Sequence, residues 1–561
     1  MSKTKNIERT RAQESTNAIE KLYISMRHLF SRGFYKPMGI SGETLRKSLL
    51  LLRPEIYGSI AEERTELDGL VYVIERLPEG IEECQFINLT ADEGYKNSHF
   101  EAIIPAKRRR NCYRIDKDQM NIEITRGRSE IYDILTHLTF LFVESHKIQE
   151  RVSLNDGEDF IREWKYLEDV VLYHKSISEK EKEVLIAHLG SILGRTYDEV
   201  SGLYQVFSSE NNPLKFFNLI YWLGKLAINE VFENKKRTVT FSSVLIEEIG
   251  HHIYGEIWAN NIKKVLKENV LLQRPIHIIS ANMHSVLNAI YAKGALPEEA
   301  KKHEGFELYQ LLSNADSKPL QKKVKDYASQ NGLIYVKDSS GTNINVQIID
   351  TDKINFDVSP FRKVNSIEEN AVIIVMDYAF GEQAFETMDE LLKPYGDKKN
   401  KIHLDVKSVS IMGKAGILEG GKGDVMIPSA HIFEGTADNY PFKNELSKED
   451  LEGFGVQVFD GSMISVLGTS LQNKDLLKFF HDSTWNVIGL EMEGAHYQKA
   501  IQAASKIRGN ISEDVKVRYA YYASDNPLET GATLASGGLG MSGVTPTYAI
   551  THKILEQIFN S

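Results

Sequence analysis

The sequence predicts two regions, a large, mainly α-helical N-terminal part and an α/β C-terminal domain. Three observations carry this. Apolar residues recur at helical spacing through most of the first 300 positions. From Ala371 onward, short β-branched runs alternate with amphipathic stretches, the pattern of a layered α/β domain. Between the two, Asp338 to Lys363 is rich in Ser, Gly, Asn and Asp and reads as the approach to a second domain. The division is placed at 1–345 and 346–561.

The first helix is expected over 12–32, where Ile19, Leu22, Tyr23, Met26, Leu29 and Phe30 form one apolar face. Further helical segments fall near 43–57, 128–152, 156–174, 178–194, 213–234 and 241–272. Ser178 and Glu181 have the spacing of a capping box, each satisfying the other's backbone donor. Short β-like pieces occur at Gln85 to Thr90 and Ala102 to Pro105. Pro275 to Ser280 reads as a buried strand leading into a helix from Met283, and Asn345 to Ile349 as a short strand. In the C-terminal part, strands at 371–376, 406–412, 424–427, 456–459, 485–490 and 515–523 alternate with helices at 383–393, 472–481, 492–507 and 545–559. No repeat period is evident.

Composition narrows the function classes. With 42% hydrophobic and 26% charged residues, the 561-residue chain has the texture of a soluble globular protein. A net charge of −11 argues against general nucleic-acid binding. The two cysteines, Cys84 and Cys112, are too few for a disulfide framework or a cysteine zinc site, and fit a reducing compartment. The polar start lacks the apolar core of a signal peptide, and the longest apolar runs are too short to span a bilayer. A cytoplasmic location without membrane contact is expected.

Three strings carry chemistry. The first is Val487 to His496, containing Glu491-Met492-Glu493; the second is Ala523-Ser-Asp-Asn-Pro-Leu528. Each follows a predicted strand, and in open α/β sheets the carboxyl ends of strands face the ligand crevice. A carboxylate there can hold a sugar diol through charge-assisted hydrogen bonds. A second, desolvated carboxyl can keep its proton and act as an acid. By residue type alone, the glutamates are helix-opening acids and Asp525 is a turn residue. The third string runs Ile411-Met-Gly413-Lys414-Ala-Gly416-Ile-Leu, then Gly423-Asp-Val-Met-Ile-Pro, then Glu434-Gly-Thr-Ala-Asp-Asn-Tyr440. A glycine turn at 413–416 would expose N–H groups to an anion, with Lys414 adding charge, although such turns are commonly plain strand-end geometry.

Taken in order, these strings resemble the signature of the nucleoside phosphorylase and nucleosidase superfamily, and within it AMP nucleosidase, over roughly residues 350 to 561. The resemblance implies a mixed central sheet flanked by helices, a homo-oligomer, and hydrolysis of the N-glycosidic bond of a purine nucleotide or nucleoside. An AMP-like substrate would give free base and ribose 5-phosphate. It implies that Glu493 grips the ribose hydroxyls, that Met492 packs on the sugar, and that Asp525, paired with Ser524, protonates the purine at N7. It places Gly413, Lys414 and Gly416 at the sugar and phosphate side, Thr469 and Leu471 against the base, and Glu382 where a base orients water. No metal or redox cofactor is implied.

Two departures stand out. Ile411 occupies the position of an arginine found in one subclass of phosphorylases, and the strand ending at Asp377-Tyr-Ala-Phe-Gly-Glu-Gln383 keeps only Gly381 of a glycine-rich turn. Nucleoside phosphorolysis is therefore the alternative enzymatic reading, and a non-catalytic nucleotide sensor the alternative from another class.

In the N-terminal region, Lys107 to Arg110 with Arg114 form a basic run, read as a solvated loop or else as a contact for a phosphorylated effector. Glu248 and His251 have the Glu-x-x-His spacing of di-iron bundles but lack the partners, so they read as an ordinary helix face. His277, Asn282 and His284 gather at a strand-to-helix turn, a candidate pocket edge.

Overall fold

Helical periodicity in the first 250 residues becomes a helical assembly built around one long central helix. The computed structural model describes residues 2–108, 110–173, 176–362, 370–397, 399–436, 438–530 and 539–560. The central helix, Gly127–Val152, is buried on nearly every side, as a helix in the middle of a core must be. Ser2–Arg32, Ile40–Leu52, Glu179–Leu193 and Lys215–Phe232 pack with it. The capping box at Ser178 and Glu181 is present. The helix expected over 43–57 stops at Leu52, because Arg53 takes a left-handed φ of 47° and Pro54 cannot continue the hydrogen-bond ladder. The helix expected over 241–272 is two, Ser243–Gly250 and Ile253–Glu268, broken at His252 with φ 57°. Helices Leu67–Ile74 and Tyr197–Phe207 were not expected. A six-stranded sheet, which includes the predicted Phe86–Thr90 and Ala102–Ile103 strands, sits within this region.

The α/β part is a ten-stranded mixed sheet. Its predicted strands appear at Val372–Met376, Val406–Ile417, Val425–Phe433, Val458–Ser465, Val487–Glu491 and Lys516–Asp525. Ile276–Ser280 lies at the sheet's centre, parallel to Val372–Met376 on one side and to Val406–Ile417 on the other. All five of its residues are buried, which is why the segment reads as a continuous apolar run.

This corrects the division at 345/346, which falls inside an antiparallel hairpin between Leu333–Val336 and Val346–Asp350. Helix Ile253–Glu268 also belongs to the α/β part, with Trp258 Nε1–H donating to Ile344 O at 2.9 Å. The α/β unit begins near residue 253. The polar stretch that resembled a linker is a built loop, in which the Asp338 carboxylate accepts from Ser340 N at 3.0 Å and Asn343 N at 2.8 Å.

One face of the sheet is covered by helices Met283–Ala295, Lys318–Gln330 and Val544–Phe559. The other is covered by Ile253–Glu268, Gln383–Leu391 and Gly494–Gln502. Five strands close a ring of pairings: Val406–Ile417 pairs with Val487–Glu491, that with Val458–Ser465, that with Val425–Phe433, that with Lys516–Asp525, and that again with Val406–Ile417. Among the described residues, no helix is long and apolar enough to cross a membrane.

Candidate active site

The closed ring sets the positions of the two acidic strings. Gly416 is in register with Leu490 on one edge of its strand and with Asp525 on the other. The strand ends that carry Glu491-Met-Glu493 and Asp525 therefore flank one backbone position, roughly 10 Å apart across it.

Asp525 ends the strand Lys516–Asp525 and is 8% exposed. Ala415 pairs with Ala523 and Gly416 with Asp525, so Ser524 is an extra residue in that strand. Such a bulge re-aims the side chains beside it. Ser524 Oγ–H donates to Asp525 Oδ1 at 2.5 Å and is also 3.1 Å from Ala415 O. Oδ2 is buried without a hydrogen-bond partner among the described residues. Burial raises the Asp525 pKa above the ordinary aspartate value, opposed by the Ser524 bond and the Lys414 charge.

Glu491 and Glu493 differ in role. Glu491, 2% exposed, accepts from Ser465 Oγ, and at 2.5 Å from each of the backbone N–H groups of Glu493 and Gly494. It thereby satisfies two backbone donors at the start of the helix Gly494–Gln502 and fixes the turn. Burial pushes it up to about 7 against the pull of those donors. Glu493 Oε1 accepts from Gly381 N at 3.0 Å. Desolvation and the neighbouring Glu491 push Glu493 up to about 8. Met492 is 7% exposed, and its Cε lies 4.0 Å from where a side chain at Gly381 would begin. Gly381 takes φ 55°, and a Cβ there would sit 2.2 Å from Ser129 Oγ, so the position requires glycine.

Glu382 follows Gly381 and faces a small cavity of about 260 Å³, lined also by Tyr23, Arg27, Arg128, His496 and Lys499. Its backbone N–H donates to Ser129 Oγ at 2.8 Å, and Tyr23 OH donates to its Oε1 at 2.8 Å. His496 is held neutral by burial, lowered to about 4. The N-terminal region thus supplies three of these walls. Tyr23 was expected only as a core residue of its helix, since a contact 359 positions away leaves no local trace. His496 ends the first string, and its neighbours gave no sign of a role.

The glycine turn expected at 413–416 is absent. Gly413 and Gly416 lie in the ladder of one continuous strand, Val406–Ile417, broken only by the register shift after Ala415. Lys414 is the strand's single exposed residue and faces a second, larger cavity. The segment expected against a purine forms a 3₁₀ turn, Thr469–Leu471, packed on the N-terminal region. Thr469 Oγ1 is 3.3 Å from Tyr72 OH, and Leu471 is 2% exposed in the shared core. The structure thus gathers Glu493, Met492 and Glu382 around Gly381, and Asp525, Ser524 and Gly416 at the strand end opposite; Lys414 lines the second cavity while its charge still acts on Asp525, and Leu471 is buried. Among the described residues, no group of three or more His, Cys, Asp or Glu side chains is arranged to hold a metal.

Over about half its length the chain is similar in fold to several solved structures. Campylobacter jejuni 5′-methylthioadenosine/S-adenosyl homocysteine nucleosidase matches at 11% identity, over 51% of this chain and 100% of its own, with a TM-score of 0.31. Futalosine hydrolase of Helicobacter pylori matches at 13% identity, over 51% and 99%, with a TM-score of 0.30. Isoform 2 of uridine phosphorylase from Schistosoma mansoni matches at 12% identity, over 55% and 90%, also at 0.30. At these values no substrate is transferred. No curated protein matches the chain in sequence. One family's sequence profile matches it over residues 43–301 and 297–560, which together span most of its length. The chain therefore belongs to that family, described as a family of unknown function, DUF6909.

Proposed function

We propose that this protein hydrolyses the N-glycosidic bond of a purine nucleotide or nucleoside, with an AMP-like substrate giving free base and ribose 5-phosphate. The observation that carries the reading is Asp525. Its Oδ2 is buried at a strand end with no hydrogen-bond partner among the described residues, and the strand end across Gly416 leads into Glu491-Met-Glu493. Desolvation favours the protonated form of such a carboxyl, and an oxygen with no other described partner can pass that proton to a leaving purine.

In this reading Glu493 accepts hydrogen bonds from the ribose 2′- and 3′-hydroxyls, and Met492 packs on the sugar. Asp525 delivers its proton to N7 as the C1′–N9 bond breaks. Water oriented by Glu382 forms the new C1′–O bond and gives up its proton. The oxocarbenium-like charge at C1′ is supported by the nearby carboxylates. Phosphorolysis is less well supported: Ile411 is 3% exposed in the core, so no side chain at that position reaches a bound phosphate.

The test is incubation of the full chain with AMP, adenosine, inosine and methylthioadenosine, with and without inorganic phosphate, followed by chromatography of free base. Base release without phosphate is expected. Strict dependence on phosphate with a sugar 1-phosphate product would sink the hydrolase reading, and absence of base release would favour a nucleotide sensor.

A further inference from the structure

The larger cavity, about 840 Å³, lies at the carboxyl ends of Ile276–Ser280 and Val372–Met376, beneath helices Lys318–Gln330 and Val544–Phe559. That volume suits a ligand the size of a small cofactor. Its walls are strongly basic. Lys318, Lys322 and Lys325 project from one face of a single helix, and Lys414 meets them from the central sheet. None of the four forms an ion pair among the described residues. The Lys325 ammonium sits 4.5 Å above the ring of Tyr335, which also lines the cavity.

Asp377 is the one acid among the described lining residues, and its Oδ1 accepts from the Tyr378 backbone N–H at 2.9 Å. The helix Met283–Ala295 begins at the cavity wall, so its N-terminal dipole adds to the positive potential. A second, independent sign of a ligand is Gln347. It is 5% exposed, lines the cavity, and leaves its Oε1 without a hydrogen-bond partner among the described residues. A buried polar atom of this kind is costly unless something satisfies it. Tyr522 and Tyr548 supply broad apolar surface beside the charges. Neither Glu493 nor Asp525 lines this space.

We infer that this cavity is a separate binding site for a phosphorylated small organic molecule of about nucleotide size, with Lys318, Lys322 and Lys325 holding the phosphoryl group. Lysine ammonium groups act as point charges that suit a phosphoryl oxygen array, and the tyrosines cover the organic part. The inference stands independently of the hydrolase reading.

The experiment is isothermal titration of the full chain with AMP, ribose 5-phosphate and inorganic pyrophosphate, at low and at physiological salt. Saturable binding of AMP or ribose 5-phosphate that weakens with salt is expected. The triple variant Lys318→Ala, Lys322→Ala, Lys325→Ala should weaken it at least tenfold, because these exposed side chains can be shortened without touching the core. Glu493→Gln, which weakens the sugar grip of the proposed active site, should leave this binding unchanged, which separates the cavity from that site. Measured with Glu493→Gln in the background, binding that survives the triple substitution overturns the inference, as does loss of binding in Glu493→Gln alone. Binding of pyrophosphate but of neither organic phosphate overturns the assignment of an organic ligand.

Discussion

Replacing Asp525 by Asn tests the proposed chemistry at one atom. The Ser524 hydroxyl, now 2.5 Å from Oδ1, can donate equally well to an amide oxygen, so the local bond survives. The amide nitrogen takes the place of Oδ2, which has no partner to lose among the described residues. An unsatisfied buried donor costs about 1–3 kcal/mol, but the variant also removes a carboxyl that is costly to bury, so net stability should shift by no more than about 1 kcal/mol. The catalytic loss should be far larger. General acid catalysis contributes about 10²–10⁴-fold, which is about 2.7–5.4 kcal/mol of barrier.

The pH dependence has a definite sign. The active form is the protonated one, so turnover should fall as pH rises through the Asp525 pKa, which burial lifts above 3.8. The same raised pKa makes the folded state hold its proton longer than the unfolded state. Its contribution to stability is therefore lost as pH rises from the unfolded value through the folded one. The Asn variant should show neither the alkaline limb of activity nor this part of the stability profile. The assay is single-turnover base release across pH, paired with urea unfolding. A variant that releases base at the wild-type rate, or keeps the alkaline limb, would show that Asp525 is only a strand-end residue.

Glu493→Gln should weaken binding of the true substrate by about 2–4 kcal/mol above about pH 8, where the native carboxylate is charged, and by less below it; it should also flatten the fall in stability between the ordinary glutamate pKa of 4.5 and about 8, read by urea melts at several pH values. Tyr23→Phe removes the donor to Glu382 Oε1 and should cost about 1 kcal/mol of unfolding free energy, with a matching loss of base release if Glu382 orients water. Arg110→Met leaves Glu130 and Asp133 buried without that partner, at 3.3 and 3.6 Å in the native protein, and should destabilise by about 3–5 kcal/mol in chemical denaturation. A fragment of residues 346–561 lacks the central strand Ile276–Ser280 and should stay unfolded by circular dichroism; a cooperative melt from it would overturn the revised boundary.

Much of the C-terminal architecture was legible because strand and helix periods differ and both are local. Strand Val372–Met376 and helix Val544–Phe559 fall within a residue of their expected limits. The domain boundary was not legible, because a polar loop such as 338–345 has the same composition whether it links two bodies or joins two strands of one sheet. The basic run was misjudged for a related reason. Arg110 is 3% exposed and pairs with Glu130 and Asp133 on the central helix, and Arg108 also reaches Asp133, at 3.3 Å. Arg109 lies outside the described residues. Charge in the sequence does not disclose that its partners wait on another element. That Glu493 follows one strand and Asp525 ends another was legible from local apolar runs, while the roles proposed for them came from the resemblance. The burial of Leu471 and the approach of Tyr23 depend on how the N-terminal helices dock, which no local pattern records.

The ring of five strands has a kinetic consequence. A strand within a closed circuit has no free edge at which fraying can start, so its amides exchange with solvent only through large, cooperative opening. The amides of Val487–Glu491 and of the middle of Lys516–Asp525 should be among the slowest in the molecule to take up deuterium, and those of the peripheral Leu333–Val336 strand among the faster. Closure also makes the spacing of the two acidic strand ends a matter of register. A slip would have to move whole pairs of residues around the circuit at once. Ligand-driven adjustment of this protein should therefore appear in its loops and helices, with the span between Leu490 and Asp525 behaving as a fixed ruler.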